Sequence, residues 1–170
     1  LGGMDQQLAR ALVAAAIQAP SVHNTQPWRF VAREDRLEVW ADPTRRLPVL
    51  DPAGRALHLS CGAAVALAEV YAGAHAVGYA VRTLPAAGEP DHLADLFLDG
   101  AERAPQDRDL AEVLASRHTD RRPFDPRPVP AELLGALARA AEHAGCWLKV
   151  VESVDDRATV AVTLARADET

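Results

Sequence analysis

The run from Arg55 to about His75 constrains this chain more than any other segment. Its sequence, Leu57-His58-Leu59-Ser60-Cys61-Gly62-Ala63-Ala64-Val65, is small and apolar on every side. A helix apolar all round is buried rather than set against water. The chain must therefore supply enough other structure to wrap a central helix. Its 170 residues, 49% of them apolar, are sufficient, because a domain of roughly 100–200 residues buries a real core. That apolar content with interspersed charge excludes a disordered chain. No stretch approaches the roughly 18 consecutive apolar residues of a membrane span.

The flanking segments are shorter and mixed in type. Asp5–Ala19 has Leu8, Leu12, Ala15, Ala16 and Ala19 at helical spacing, with Asp5 as N-cap and Pro20 as stop. Trp28–Ala32 and Arg36–Trp40 read as two short strands around the polar turn Arg33-Glu34-Asp35. The Pro- and Arg-rich stretch Ala41–Gly54 opposes helix, with Asp42, Asp51 and Arg55 in structural roles and Asp51 an N-cap for the long helix. Val77–Leu84 and, more weakly, Leu93–Leu98 follow as strands. Asp107–Ser116 reads as a helix, Arg117–Pro130 as an extended basic segment, and Pro130–His143 as a helix. Trp147–Val151 is a predicted strand and Asp155–Ala167 a last helix capped by Ser153 or Asp155. Helices and strands that alternate without a strict βαβ rhythm predict an α+β or mixed three-layer fold.

Charge and cysteine content narrow the function. A net charge of −6 argues against coating nucleic acid. The two cysteines, Cys61 and Cys146, form no disulfide framework and fit a reducing cytoplasm. Leu1-Gly2-Gly3-Met4 lacks the basic and apolar stretches of a secretory signal, and Leu1–Gly3 read as a processing scar. The element series stops at Thr170 with no return strand after the last helix, which predicts a truncated chain.

Two segments have the residue types of a binding site. Ala19-Pro20-Ser21-Val22-His23-Asn24-Thr25-Gln26-Pro27-Trp28 lies between a helix end and a strand start, where neutral polar side chains and backbone groups can face a ligand. Such groups suit a polar heteroaromatic rim better than a metal; the same composition also makes an ordinary connecting loop. Arg117-His118-Thr119-Asp120-Arg121-Arg122-Pro123-Phe124 offers guanidinium forks and a hydroxyl that match phosphate oxygens. Taken alone, it reads first as a solvated basic loop or a salt-bridge partner for the acidic surface. Ser21 and His23 are too close in sequence to make a nucleophile–base pair, and no G-x-S-x-G elbow is present. His58 and Cys61, one turn apart, read as core residues, and the six histidines give no metal cluster in sequence. Gly-rich phosphate loops are absent from the sequence.

Pro20-Ser21-Val22-His23-Asn24-Thr25-Gln26-Pro27-Trp28 resembles the P-S-x-x-N-x-Q-P-W signature of the FMN-dependent nitroreductase family. Asp51-Pro52-Ala53-Gly54-Arg55 through Gly78 resembles that family's central helix. His58–Ala64 together with Arg117–Phe124 is similar to the Acg-type branch, whose members fold as two fused halves imitating the usual homodimer. The arginine segment, which opens an ordinary member, stands here at Arg117, as if a second half began there. His118 and Thr119 depart from the family's arginine and serine, Pro123 is an added residue, and Ala144-Gly145-Cys146-Trp147 replaces a second P-S-x-x-N loop.

The resemblance implies an α+β fold with a mixed sheet, flanking helices and a buried central helix, in a first nitroreductase-like half over 4–112 and an incomplete second half over 113–170. It implies one composite FMN site: Arg117 and Arg121 on the phosphate with the Thr119 hydroxyl, and Pro20, Ser21, Val22, Asn24 and Gln26 around the isoalloxazine ring. The implied activity passes a hydride from NAD(P)H to flavin and on to a nitroaromatic or quinone-type acceptor, with no side chain assigned as catalytic and no metal. The alternative is a non-catalytic flavin-sequestering or stress-related binding protein. Partners expected are a small-molecule electron acceptor, neither nucleic acid nor membrane, and a second half, as a homodimer or a fused pseudo-dimer.

Overall fold

The computed structural model describes residues 5–102, 104–106 and 108–168. Leu1–Met4, Asp107 and Thr170, used in the reading above, lie outside them. The chain falls into two compact units, Leu1–Asp120 and Arg121–Thr170.

The first unit is an α+β arrangement of helices on a four-stranded antiparallel sheet of order β1-β2-β4-β3. Helix α1 spans Gln6–Ala16, and the Asp5 carboxylate accepts the Leu8 N–H at 2.6 Å, as an N-cap should. Strands β1 (Trp28–Ala32) and β2 (Arg36–Ala41) form a hairpin with Phe30 opposite Val39 and Ala32 opposite Leu37. Its turn is closed by the Arg33 N–H on the Arg36 carbonyl at 2.8 Å. Helix α2 (Arg55–Ala74) leads to β3 (Val77–Thr83), then β4 (His92–Glu102), which pairs with both β2 and β3. Gly78 sits where β3 shifts register against β4. A Cβ there would collide with the Asp99 carboxylate and the Ala101 carbonyl, so only glycine permits the approach.

Period-two alternation sends Leu37, Val39 and Ala41 into the core and turns Glu38 and Trp40 to the opposite sheet face. Leu12 and Ala16 of α1, Leu57, Cys61, Ala64 and Ala68 of α2, and Leu37 and Leu96 of the sheet make the main cluster. Helix α2 touches α1, all four strands and α3 (Arg108–Leu114), so it is central as expected. Its burial is one-sided, however: Leu59, Gly62 and Ala66 are exposed, because the described elements cover only the opposite face. By length and mean hydropathy α2 also meets the criteria for a membrane-crossing helix. Its buried face is occupied as a core helix's is.

Asp51 serves α2 from outside rather than as the N-cap, a place Gly54 takes with φ 69°. Its carboxylate accepts the Leu57 N–H at 2.9 Å, and that bond first, with those of Ala56 and Arg55, holds it below the usual carboxylate range.

The second unit holds α4 (Ala131–His143) and α5 (Val154–Asp168). Ser153 caps α5, its Oγ accepting the Asp156 N–H at 3.0 Å. Trp147–Val151 is not a strand. Residues 146–152 pair with nothing in a ladder among the described residues, and an apolar run without a partner strand has no sheet to join.

Candidate functional site

Strand β1 enters the sheet at Trp28, which is buried beside Pro27. The eleven residues before it must connect the end of α1 to that fixed point, and the later ones do so in an unusual conformation. His23, Asn24 and Gln26 have φ of 47°, 55° and 49°. Left-handed backbone in residues other than glycine costs about 1–3 kcal/mol each and persists only where the surroundings impose it; Asn and His are the residues that tolerate it best.

Here the surroundings do impose it. Within the loop, Ser21 Oγ accepts the Gln26 N–H at 3.0 Å and Thr25 Oγ1 donates to the Val22 carbonyl at 2.9 Å. The Asn24 and Thr25 N–H groups close turns on Ser21 and Val22 carbonyls, both at 3.0 Å. From outside, Ser60 Oγ of α2 accepts the Val22 N–H at 3.2 Å, and Arg45 Nη1 donates to Thr25 and Gln26 carbonyls at 3.0 and 3.3 Å. The Pro27 carbonyl takes the Asp42 N–H at 2.8 Å and the Cys61 thiol at 3.3 Å. The Ser21 and His23 N–H groups find no partner among the described residues, so the loop has donors to spare for a ligand.

Pro20, Ser21 and Val22 form one wall of a shallow cavity of about 270 Å³, floored by Ala56, Leu59, Ser60 and Ala63 of α2. Its lining is mostly apolar, with Ser21 and Ser60 the two hydroxyl residues in it. Asn24 and Gln26 lie on the loop beyond that wall, exposed, with Gln26 Nε2 3.4 Å from Asn24 Oδ1.

The basic segment approaches this loop from the far end of the unit's sequence. Arg117, just after α3, donates from Nε and Nη2 to the Gln18 carbonyl at 3.2 and 2.8 Å. That carbonyl is two residues before Pro20, so 99 residues of chain separate groups that are neighbours in space. Arg117 is half-buried and Thr119 exposed. Arg121 is exposed and belongs to the second unit.

Cys61 lies at the centre of the core and burial pushes its thiol up to about 12, so it stays protonated. His58, expected in the core beside it, is exposed; its Nδ1 lies 2.6 Å from the Gly54 carbonyl. On the other side of α2, His58, Glu69 and Thr83 line a second cavity of about 330 Å³ with Val65, Val81 and Leu93. Burial there raises the Glu69 carboxyl.

A polar cluster that sequence reasoning missed occupies the sheet face away from the helices. Glu38 of β2 and His92 and Asp95 of β4 are buried, with ligand-capable atoms within 4.8 Å of one another. Guanidinium groups already supply the countercharge a cation would bring. Arg33 and Arg36 hold Glu38 at 2.9 and 3.0 Å, and Arg82 holds Asp95 at 3.3 Å. The Arg33 hydrogen bond above all, with those of Trp40 and the charges of Arg33 and Arg36, brings Glu38 down to about 2. The signal lay in Glu38 and Asp95 as charged residues inside strand patterns, but their meeting depends on β2–β4 pairing. Ser60 and Arg45 were missed as well. A hydroxyl on the buried face of an otherwise apolar helix was the available clue for the first.

No family model matches the chain. Three proteins of Mycobacterium tuberculosis (strain ATCC 25618 / H37Rv) are similar to it. "Putative NAD(P)H nitroreductase Rv3131" is 34% identical over 153 residues, covering 89% of this chain and 44% of that protein. "Putative NAD(P)H nitroreductase acg" is 33% identical over 120 residues, covering 70% and 36%. "Uncharacterized protein Rv3127" is 31% identical over 163 residues, covering 92% and 46%. The chain thus spans less than half the length of these relatives. Among solved structures, a "Putative NADH dehydrogenase/NAD(P)H nitroreductase" from Parabacteroides distasonis superposes with TM-score 0.47 at 16% identity, over 61% of this chain and 80% of that one. By its likeness to the mycobacterial proteins, the chain belongs to the NAD(P)H nitroreductase family, in the Acg-type branch.

Proposed function

We propose that the chain contributes to an FMN-binding NAD(P)H oxidoreductase whose acceptor is a nitroaromatic or quinone-type molecule. The observation that carries this reading is the Arg117 guanidinium fixed on the Gln18 carbonyl beside the Pro20–Val22 wall. A cation anchored near a shallow, mostly apolar cavity is the pairing that the phosphate and the ring of FMN call for. Arg117 has five N–H donors in all and keeps some beyond those spent on Gln18, so it can serve a phosphate while remaining anchored. Thr119 adds a hydroxyl. Pro20, Ser21 and Val22 would face the ring, with Asn24 and Gln26 as amides at its rim. FMN, when bound, supplies the hydride chemistry; the protein's part is to hold and orient it. Arg121 enters as a second phosphate ligand and is tested by its own substitution. The exposed apolar face of α2 at Leu59 and Ala66 supports a second half packing there, as a homodimer or a fused pseudo-dimer. Free thiols at Cys61 and Cys146 fit a cytoplasmic protein.

The test is an FMN titration by fluorescence quenching, followed by anaerobic NADH and NADPH. Arg117→Ala and Arg121→Ala should each weaken FMN by about tenfold or more, the scale of a lost charge-assisted hydrogen bond. Unchanged affinity in Arg117→Ala sinks the phosphate assignment. Bound flavin that bleaches supports a reductase, and flavin that stays oxidised makes the chain a sequestering protein instead.

A further inference from the structure

We propose that Ser60 and Arg45 are positioning residues that pin the two ends of the Ser21–Gln26 loop and so set the surface it presents to a ligand. The inference rests on the reading of that loop as the flavin-ring contact.

The case for Ser60 is a matter of proton bookkeeping. It is buried in a helix face otherwise made of Leu57, Cys61, Ala64, Val65 and Ala68, where alanine would serve the helix better. Its hydroxyl lies 2.7 Å from the Ala56 carbonyl, which can only accept, so the single hydroxyl proton is used there. The oxygen's lone pair is then left to accept the Val22 N–H at 3.2 Å. The bond joins residues 38 apart in sequence, at the wall and floor of the same cavity. It fixes the loop's first end at the point where the cavity begins.

Arg45 acts on the other end. It is the last residue of the short turn Pro43–Arg45, its side chain 51% exposed and steadied by Asp42 at 3.3 Å. One nitrogen, Nη1, spans the Thr25 and Gln26 carbonyls. The three left-handed residues, His23, Asn24 and Gln26, all lie after the first pin, and the last of them is gripped by the second. Without the pins these residues relax to negative φ. That rotates the peptide planes between them and redirects the Asn24 and Thr25 N–H groups together with the Asn24 side-chain amide. Arg45 is not among the cavity's lining residues, so its effect on a ligand passes through the loop. Ser60 is part of the floor, but its hydroxyl proton is spent on the Ala56 carbonyl and its oxygen acts on the loop at Val22.

The experiment measures amide hydrogen exchange across residues 19–28 in the ligand-free protein, the FMN titration, and the thermal midpoint. The variants are Ser60→Ala, Arg45→Ala and Arg45→Lys. Ser60→Ala should speed exchange at Val22 and weaken FMN, each by about tenfold, the scale of one hydrogen bond. Arg45→Ala should do the same from the Gln26 end; because its side chain is half exposed, folding is not in question. Arg45→Lys should recover part of both, which a change in general stability would not produce. Wild-type exchange and wild-type affinity in both alanine variants overturn the proposal. So does faster exchange with unchanged affinity, since the pins would then hold a loop that does not matter to the ligand. If the wild-type protein takes up no FMN, the flavin reading fails, and the exchange data alone decide the pinning.

Discussion

The two units of this chain contain helices of similar quality and differ in what those helices accomplish. In Leu1–Asp120, α1 and α2 lay Leu12, Ala16, Leu57, Cys61 and Ala64 against Leu37 and Leu96 of the sheet, all fully or nearly fully buried. In Arg121–Thr170, α4 carries Leu133 and Leu137 at correct helical spacing, yet they are 50% and 48% exposed, and no described residue of that unit is buried. The contrast separates two things that periodicity conflates. An apolar stripe specifies that a helix can form and which face it would bury; tertiary cover decides whether burial follows, and most helical stability in proteins comes from that cover.

The largest expected effect tests this directly. Leu12→Ala removes a side chain with no exposed surface and should cost about 3 kcal/mol in urea unfolding. Leu137→Ala, the same chemical change on α4, should cost about 0.5 kcal/mol or less, partly offset by alanine's better helix propensity. Equal losses would break the comparison.

Ion pairs provide the next contrast. Glu38 is buried under Arg33 and Arg36, whereas the Arg127–Asp125 pair of the second unit is exposed on both sides. Glu38→Gln should destabilise the first unit by about 2 kcal/mol at pH 7, the range for hydrogen bonds to a buried charge. Asp125→Asn should be silent within about 0.5 kcal/mol. The pH dependence has a definite sign. The folded-state value of Glu38 is lowered from 4.5 to about 2, so its contribution is complete above 4.5 and is lost as pH falls from there toward 2. The gap between wild type and Glu38→Gln should close over that window.

What could be read in sequence follows the same division between local and non-local causes. Asp5 as N-cap, the Arg33–Asp35 turn and the extents of α1, β1 and α2 are settled by neighbours within a few residues, and all emerge close to expectation. Trp147–Val151 has equally good strand composition and fails, because a strand is defined by a partner elsewhere. The Glu38–His92–Asp95 cluster is invisible for the related reason that a register shift at Val39/Trp40 is needed to stack His92 on Trp40, with ring centroids 4.1 Å apart. At the candidate site, the loop residues were legible as polar and Pro-bounded, and their family likeness was legible with them. The loop's left-handed backbone and its pins at Ser60 and Arg45 were not, since each depends on contacts made across 19 or more residues.

The smallest effect sharpens the comparison most. Asp5 and Ser153 cap α1 and α5 with the same kind of bond, at 2.6 and 3.0 Å, and replacement of either by alanine should remove about 1 kcal/mol of local helix stability. The consequences should differ. Helix α1 is packed against α2, so Asp5→Ala acts on a helix that belongs to the core and should lower the thermal midpoint of cooperative unfolding. Helix α5 has no buried described residue, so Ser153→Ala should appear as faster amide exchange over its first turn with the midpoint unmoved. A midpoint that drops equally in both variants would mean that α5 unfolds together with the sheet. Cooperative stability would then extend across a unit none of whose described residues is buried.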